Sequence, residues 1–520
     1  MKARKEKEER IRKLRSATEG AKLMRRRVLF AIFLAQILFF FAASFILAQY
    51  IDIYFTSSYF LGALALNVVL ALYILTSNRH PSYKLSWIIF VVLFAPVSTL
   101  FYIFYCVIFK PRRIIKAIDN SIKDAEKNLR QGVKTGNARF DANIEYVINT
   151  AGYGAHKNSS AKYYDFTEKL YKDMLDELKG AKKYIFMEFF IFHDGFMLDD
   201  ILEILYKKVQ EGVDVRLIYD GMGSFGTLSR KTRKEMKAGG IKVMIFNKMH
   251  VAFNIFQNFR DHRKIVVIDG RTAITGGFNI GDEYINKLKK FGKWKDTGVI
   301  IKGEAVFSFT VMFLSMWRLI SREAVDFSEY QETVNVETDG VILPYGDSPA
   351  DSFNPGHGTY LNMINAAEKY VWIQTPYLII DYELLTALIN RAMSGVDVRI
   401  ITPAIPDKKT AFMVTRSHFA QLIGEGVKIY EYTPGFIHSK VCLSDDVCAV
   451  VGSINFDFRS LYQQFESAVY MAESSAVKDI RADFDNLFDK ECKELTKDDC
   501  KQNIFEKFIT SFLILFSPLM

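Results

Sequence analysis

Cysteine is scarce in this 520-residue chain: Cys106, Cys442, Cys448, Cys492 and Cys500 are the full set, and no two form a CxxC pair. Their odd number and scattered spacing argue against a disulfide framework and offer no zinc site. Charge is missing altogether from Val28–Tyr50 (VLFAIFLAQILFFFAASFILAQY), a run long enough to cross a bilayer. Two more apolar runs follow, at 59–75 and 86–109, the second with Pro96 inside it. A cleaved secretory leader fits poorly. The basic region ahead of the first run is long, the run exceeds a leader's apolar core, and two others come after it. Residues 28–109 therefore read as an α-helical membrane anchor rather than as buried core helices.

The tail 1–27 holds twelve Lys/Arg against four Glu, which puts the N-terminus in the cytoplasm. Lys110, Arg112, Arg113 and Lys116 follow the third run and ask for the same side. Two spans plus one re-entrant or interfacial segment satisfy both signals. The expected location is the cell membrane, multi-pass, with the rest of the chain facing the cytoplasm. The net charge of +9 suits a neighbour of anionic lipid, where each juxtamembrane cation contributes about 1 kcal/mol.

Beyond a polar connector at 110–160, strand-like runs alternate with helical ones, the signature of an α/β sheet. The order then repeats. AKKYIFMEFF from Ala181 returns as AEKYVWIQTP from Ala367, GVDVRLIYD from Gly212 as GVDVRIITP from Gly395, and GGIKVMIFN from Gly239 as EGVKIYEYT from Glu425. The offsets are 183 to 186 residues, so the chain carries two tandem copies of one α/β unit, at 161–330 and 331–490, ahead of an apolar tail at 491–520.

Each copy holds the same polar pattern. His262, Lys264, Asp269, Gly276 and Asn279 recur as His438, Lys440, Asp445, Gly452 and Asn455, with identical spacings of two, five, seven and three. One H-x-K-x4-D is weak evidence; two at equivalent places in a repeat are strong. Positions i and i+2 of a strand share a face, so each His and Lys are expected to point together from the first strand of a hairpin. Each Asp falls in turn sequence (DG, SDD), where holding the turn is favoured over touching a ligand. The combination suits a phosphoryl group. Two imidazoles supply a nucleophile and a general acid/base, and lysines with Asn amides hold oxygens as charge moves. With two cations in that role no metal or other cofactor is called for.

The paired motifs resemble those of the phospholipase D superfamily, and HRKIVVIDG, GGFNIGDEY, TPYLIID, GVDVRIITPAIPDK and YEYTPGFIHSK are similar to its bacterial cardiolipin synthase branch. The resemblance implies two α/β sandwich halves with pseudo-twofold symmetry meeting at one site, and a phosphohistidine intermediate. It implies His262 as nucleophile and His438 as acid/base, an order the residues alone leave open. It makes Glu466 an acid that orients a motif histidine, with Asp282 or Glu283 as the first-half counterpart. It also implies phosphatidylglycerol as substrate and transfer to a second phosphatidylglycerol. Hydrolysis to phosphatidic acid and a non-catalytic lipid-binding scaffold are the alternatives, and nucleic acid is not an expected partner. Gly277 stands where the second copy has Ser453.

Other signals weigh less. GMGSFG (Gly221–Gly226) has dinucleotide-loop spacing, but the following strand lacks the acidic ribose ligand and the second copy has PAIPDK, so the glycines serve a local turn. His193, His250 and His357 stand alone and read as structural, and Trp317 as a helix core residue. The loop around His250 (HVAFNIF) is either an acyl-chain contact or core. The terminal FEKFITSFLILFSPLM is too short to span and either packs or lies in a membrane interface.

Overall fold

The computed structural model describes residues 53–78, 80–93, 133–248 and 258–519 except positions 333 and 352, with Phe45, Ser98, Tyr102 and Leu129 singly. The basic tail, nearly all of the run 28–50, most of 94–132 and the loop bearing His250 lie outside the described residues. The chain divides into two compact units. In the smaller, helices Ile53–Thr76 and Pro81–Leu93 share a cluster of Leu70, Ile74, Val91 and Tyr102, while Leu64, Val69, Leu72 and Tyr73 are exposed. Among the described residues no helix is long and apolar enough to cross a membrane.

The larger unit is built on two mixed sheets of the same design. Its first-half strands are Ser159–Tyr164 (β1), Tyr184–Phe189 (β2), Asp214–Asp220 (β3), Lys242–Phe246 (β4), Lys264–Ile268 (β5), Thr272–Gly276 (β6) and Gly298–Gly303 (β7), in the order β1-β7-β6-β5-β2-β3-β4. Second-half strands are Val341–Asp347 (β8), Tyr370–Gln374 (β9), Asp397–Pro403 (β10), Lys428–Tyr432 (β11), Val441–Ser444 (β12), Cys448–Gly452 (β13), Gln464–Ala472 (β14) and Cys492–Glu494 (β15). Their order, β8-β14-β13-β12-β9-β10-β11-β15, repeats the first and adds one edge strand. In each, three consecutive strands are parallel (β2-β3-β4; β9-β10-β11) and the motif hairpin joins antiparallel to the first of them.

Strands such as β2 (YIFMEF) and β5 (KIVVI) are buried at every position, which requires cover on both faces and explains why they are apolar apart from Glu188 and Lys264. Helix Phe196–Gln210 buries Met197, Leu198, Ile201, Leu202 and Leu205 at helical spacing. Helix Val306–Ser321 is buried all round from Val306 to Trp317, the place of an interior helix, and Trp317 is a core residue. The three-residue hairpin loops use positive φ at Asp269 (52°) with Gly270 (66°), and at Asp445 (56°) with Asp446 (60°), the left-handed conformation that tight turns between twisted strands favour. The GMGSFG glycines serve packing: a Cβ on Gly223 would lie 2.2 Å from the Phe190 carbonyl oxygen.

One expectation is corrected. His262 and His438 do not project from the first hairpin strand; each sits on a short joint before it, as does Lys440. The reason is a competing partner. The His262 N–H donates to the Phe465 carbonyl (2.9 Å) and the His438 N–H to the Lys295 carbonyl (2.7 Å), so each backbone is drawn to the opposite half.

Candidate active site

Two short parallel ladders link the halves. Arg260–Asp261 pairs with Gln464–Phe465, and Gly435–Ile437 pairs with Lys293–Lys295. Parallel pairing keeps residues level. The residue after Asp261 therefore comes beside the residue after Phe465, and the one after Ile437 beside the one after Lys295. That puts His262 against Glu466 and His438 against Asp296. The side chains complete the match: His262 Nδ1 lies 2.9 and 3.0 Å from the two Glu466 oxygens, and His438 Nδ1 lies 2.6 Å from Asp296 Oδ2. Each histidine is thus oriented by an acid from the other half, its Nδ1 directed to the carboxylate and Nε2 left for chemistry.

Glu466 stands beside His262. Asp296 replaces the expected Asp282 or Glu283. The Asp282 carboxylate accepts from the Phe196 and Met197 N–H groups (3.1 and 2.9 Å) at a helix start, and Glu283 lies 3.5 Å from His193. The signal for Asp296 is register. Gly276 pairs with Gly298 and the equivalent Gly452 with Ala468, and each acid stands two residues before that partner.

The lysines are buried beside the histidines. Lys264 Nζ donates to the His262 carbonyl (2.5 Å); Lys440 Nζ donates to the His438 carbonyl and lies 2.9 Å from His438 Nδ1. Burial holds Lys264 down to about 7, against the opposing pull of Glu466, and Lys440 down to about 8, against Asp296 and Glu466. Burial, then the lysine charges, depress His262 well below the usual imidazole range and His438 to about 4. The site is therefore an electropositive pocket short of its counter-charge. A bound phosphodiester anion supplies it and draws protons onto the lysines. Since kcat/KM reports the free enzyme, it is expected to fall as pH rises through about 7 to 8, where the depressed lysines lose charge. A profile flat into the ordinary lysine range contradicts this.

Asp269 and Asp445 stand away from that chemistry. Asp269 accepts from the N–H groups of Lys182, Lys183 and Tyr184 (2.7 to 2.9 Å), and Asp445 from those of Glu368, Lys369 and Tyr370 (2.8 to 2.9 Å). Arg139 also pairs with Asp445 at 2.7 Å. Each carboxylate fixes the entry to a central strand next to its hairpin. Asn279 donates from Nδ2 to Tyr284 Oη (2.8 Å) and accepts from the Ile191 N–H (3.1 Å); Asn455 donates to Ser460 Oγ (3.1 Å). Asn455 is also hydrogen-bonded to Asp457, whereas Asn279 keeps one amide N–H beyond its bond to Tyr284.

Aromatic rings wall the histidines: Phe190 at 5.2 Å from His262, and Trp294, Tyr284 and Phe436 at 5.4 to 5.9 Å from His438. Behind them a buried pair, Lys295–Asp483 (2.8 Å), braces the strand that ends just before Asp296, and Arg263 Nε donates to the Glu466 carbonyl (3.1 Å). None of these supporting groups is flagged by the motif itself. His357 is likewise structural, 2.8 Å from Asp381.

The two halves differ at one point. Ser453 Oγ donates to Glu466 Oε2, whereas a Cβ on Gly277 would lie 2.2 Å from Asp296 Oδ1. Ser with Glu, and Gly with Asp, are matched pairs filling the same space. Gly277→Ser is expected to push Asp296 off His438 and lower turnover roughly a hundredfold, the scale of a misplacement of about 1 Å. Adding Asp296→Glu copies the second half and recovers most of the loss in steady-state kinetics.

The comparisons agree with this geometry. Residues 174–317 and 360–488 match the family model described as cardiolipin synthase, PLD-like domain. Cardiolipin synthase 2 of Bacillus cereus is 36% identical over 86% of this chain and 88% of its own length. The cardiolipin synthase of Alkalihalophilus pseudofirmus is 33% identical over 93% of this chain and 99% of its own. Among solved structures, the phosphatidylserine synthase of Haemophilus influenzae Rd KW20 shares the fold, with a TM-score of 0.56 at 15% identity over 69% of this chain and 95% of that one. With its two like halves, each orienting the other's histidine, the chain belongs to the phospholipase D superfamily, in its cardiolipin synthase branch of phosphatidyltransferases.

Proposed function

We propose that this protein makes cardiolipin from two phosphatidylglycerols with release of glycerol. The observation that carries the reading is the pair of imidazoles, each held at Nδ1 by the opposite half's acid beside a buried lysine, in a chain of this family. His262 Nε2 attacks the phosphorus of the first phosphatidylglycerol. The bond to the departing glycerol oxygen breaks, and His438, which takes up a proton once the phosphodiester anion is bound beside it, gives that oxygen its proton. Neutral His438 then removes the proton from a glycerol hydroxyl of the second phosphatidylglycerol. That oxygen attacks the phosphohistidine, the P–N bond breaks, and cardiolipin leaves.

Resemblance of position supports the order of the histidines. Lys264, Lys440 and the Asn279 and Asn455 amides hold the phosphate oxygens, while Asp269 and Asp445 act by position. The apolar runs of 28–109 anchor the chain in the cell membrane, with the halves 161–330 and 331–490 at the cytoplasmic face, where both substrates reside. Excluding water favours the lipid alcohol over hydrolysis. With labelled phosphatidylglycerol in micelles, cardiolipin plus free glycerol is the expected product pair. Phosphatidic acid with no cardiolipin assigns hydrolysis instead, and absence of turnover assigns a binding protein.

A further inference from the structure

The C-terminal helix Ile504–Ile514 rests on the catalytic unit by one narrow face and leaves an apolar stripe uncovered. Leu513 packs against the cluster of Ile379, Ala411, Val414 and Phe458, Thr510 is buried, and the Pro518 carbonyl accepts from Gln463 Nε2 (2.5 Å). Phe505, Phe508, Phe512 and Phe516 are spaced three, four and four, so they line one side, and they are 71, 73, 57 and 42% exposed; Ile504 beside them is 88% exposed. An Asn503–Glu506 capping box fixes the start of this helix, which marks it as a formed element.

Its surroundings are basic. Helix Lys409–Ser417, against which it packs, begins at the exposed Lys408 and Lys409, and the terminal helix carries exposed Lys507. None of the three has an ion-pair partner among the described residues. The loop just before helix Lys409–Ser417 approaches the site: Tyr377 Oη donates to Asp407 (2.6 Å), and the charge of Lys408 bears on His262. Exposed Ile405 lies in it too. An uncovered aromatic stripe next to unpaired lysines is complementary to an anionic phospholipid surface, with rings in the acyl boundary and ammonium groups at the phosphates.

We propose that this stripe seats the catalytic unit on the anionic bilayer that holds its substrates, keeping the loop bearing Asp407 and Lys408 at the lipid surface. The inference rests on the reading that the substrates are bilayer lipids. The test uses the full chain carrying Phe508→Trp in phosphatidylglycerol vesicles, with wild type as the tryptophan background. Emission of the variant is expected to shift to the blue and to be quenched at least about twofold by lipid brominated on its chains, and less in neutral phosphatidylcholine vesicles. Quenching by aqueous iodide alone overturns the proposal. So does a blue shift without quenching by brominated lipid, which means that another segment or a second copy covers the stripe.

In a second arm, the triple variant Phe505→Ser, Phe508→Ser, Phe512→Ser is compared with wild type. Its ratio of turnover on vesicle lipid to turnover on monomeric dihexanoyl phosphatidylglycerol is expected to fall about a hundredfold. An unchanged ratio contradicts the proposal. Should wild type turn over neither substrate, the assigned chemistry fails, while quenching of Phe508→Trp still decides the surface.

Discussion

His262→Ala is expected to lower phosphatidyl transfer by about ten-thousandfold or more, with the fold intact. The site gives the size of the loss. Among the described residues the other candidates are occupied: Lys264 and Lys440 are engaged with the histidine carbonyls, and in the proposed mechanism His438 serves as acid and base. Removing a covalent nucleophile leaves only binding and charge stabilisation, a residue of activity small beside the intact site. Alanine removes a buried ring, but the Lys264 charge still faces Glu466 and Ser453 still donates to it. Steady-state kinetics with a melting curve separates the two effects. Turnover within tenfold of wild type would show that the nucleophile lies elsewhere.

Asp296→Asn is expected to lower kcat by about a thousandfold or more with little change in KM, although Asp296 belongs to the half that carries the other histidine. His438 Nδ1 has two neighbours, Asp296 Oδ2 at 2.6 Å and Lys440 Nζ at 2.9 Å. The carboxylate keeps the ring proton on Nδ1 and Nε2 free to exchange protons. With a neutral amide in its place, the lysine donates to Nδ1 and the ring proton moves to Nε2. That tautomer cannot accept the proton of the second alcohol, and an analogous exchange in serine proteases costs about ten-thousandfold. Loss in KM rather than kcat would mean that Asp296 binds substrate instead of setting the tautomer.

Much of this fold was legible in the chain. Three ordered repeats and two motifs of identical spacing gave two α/β halves, the paired histidines and lysines, and the turn character of Asp269 and Asp445. The acids were only half legible. Glu466 follows Asn455 by eleven residues, whereas Asp296 follows Asn279 by seventeen, so the repeat loses its register just where the partner stands. Strand pairing restores it, through Gly276 with Gly298 and Gly452 with Ala468. The crossing of each acid to the opposite histidine has no linear signature at all. It arises from two short ladders, and those ladders also pull His262 and His438 off the strands on which period-two reasoning placed them. The Gly277–Ser453 difference, a small irregularity in sequence, is compensated in space by the length of the facing acid.

The most direct test of the central claim is to trap the intermediate. Wild-type protein mixed with phosphatidylglycerol is quenched in base within a single turnover, and its peptides are weighed by mass spectrometry. One phosphatidyl group on the peptide bearing His262, and none on that bearing His438, is the predicted result. The group on His438, or no covalent adduct while cardiolipin forms, would contradict the account.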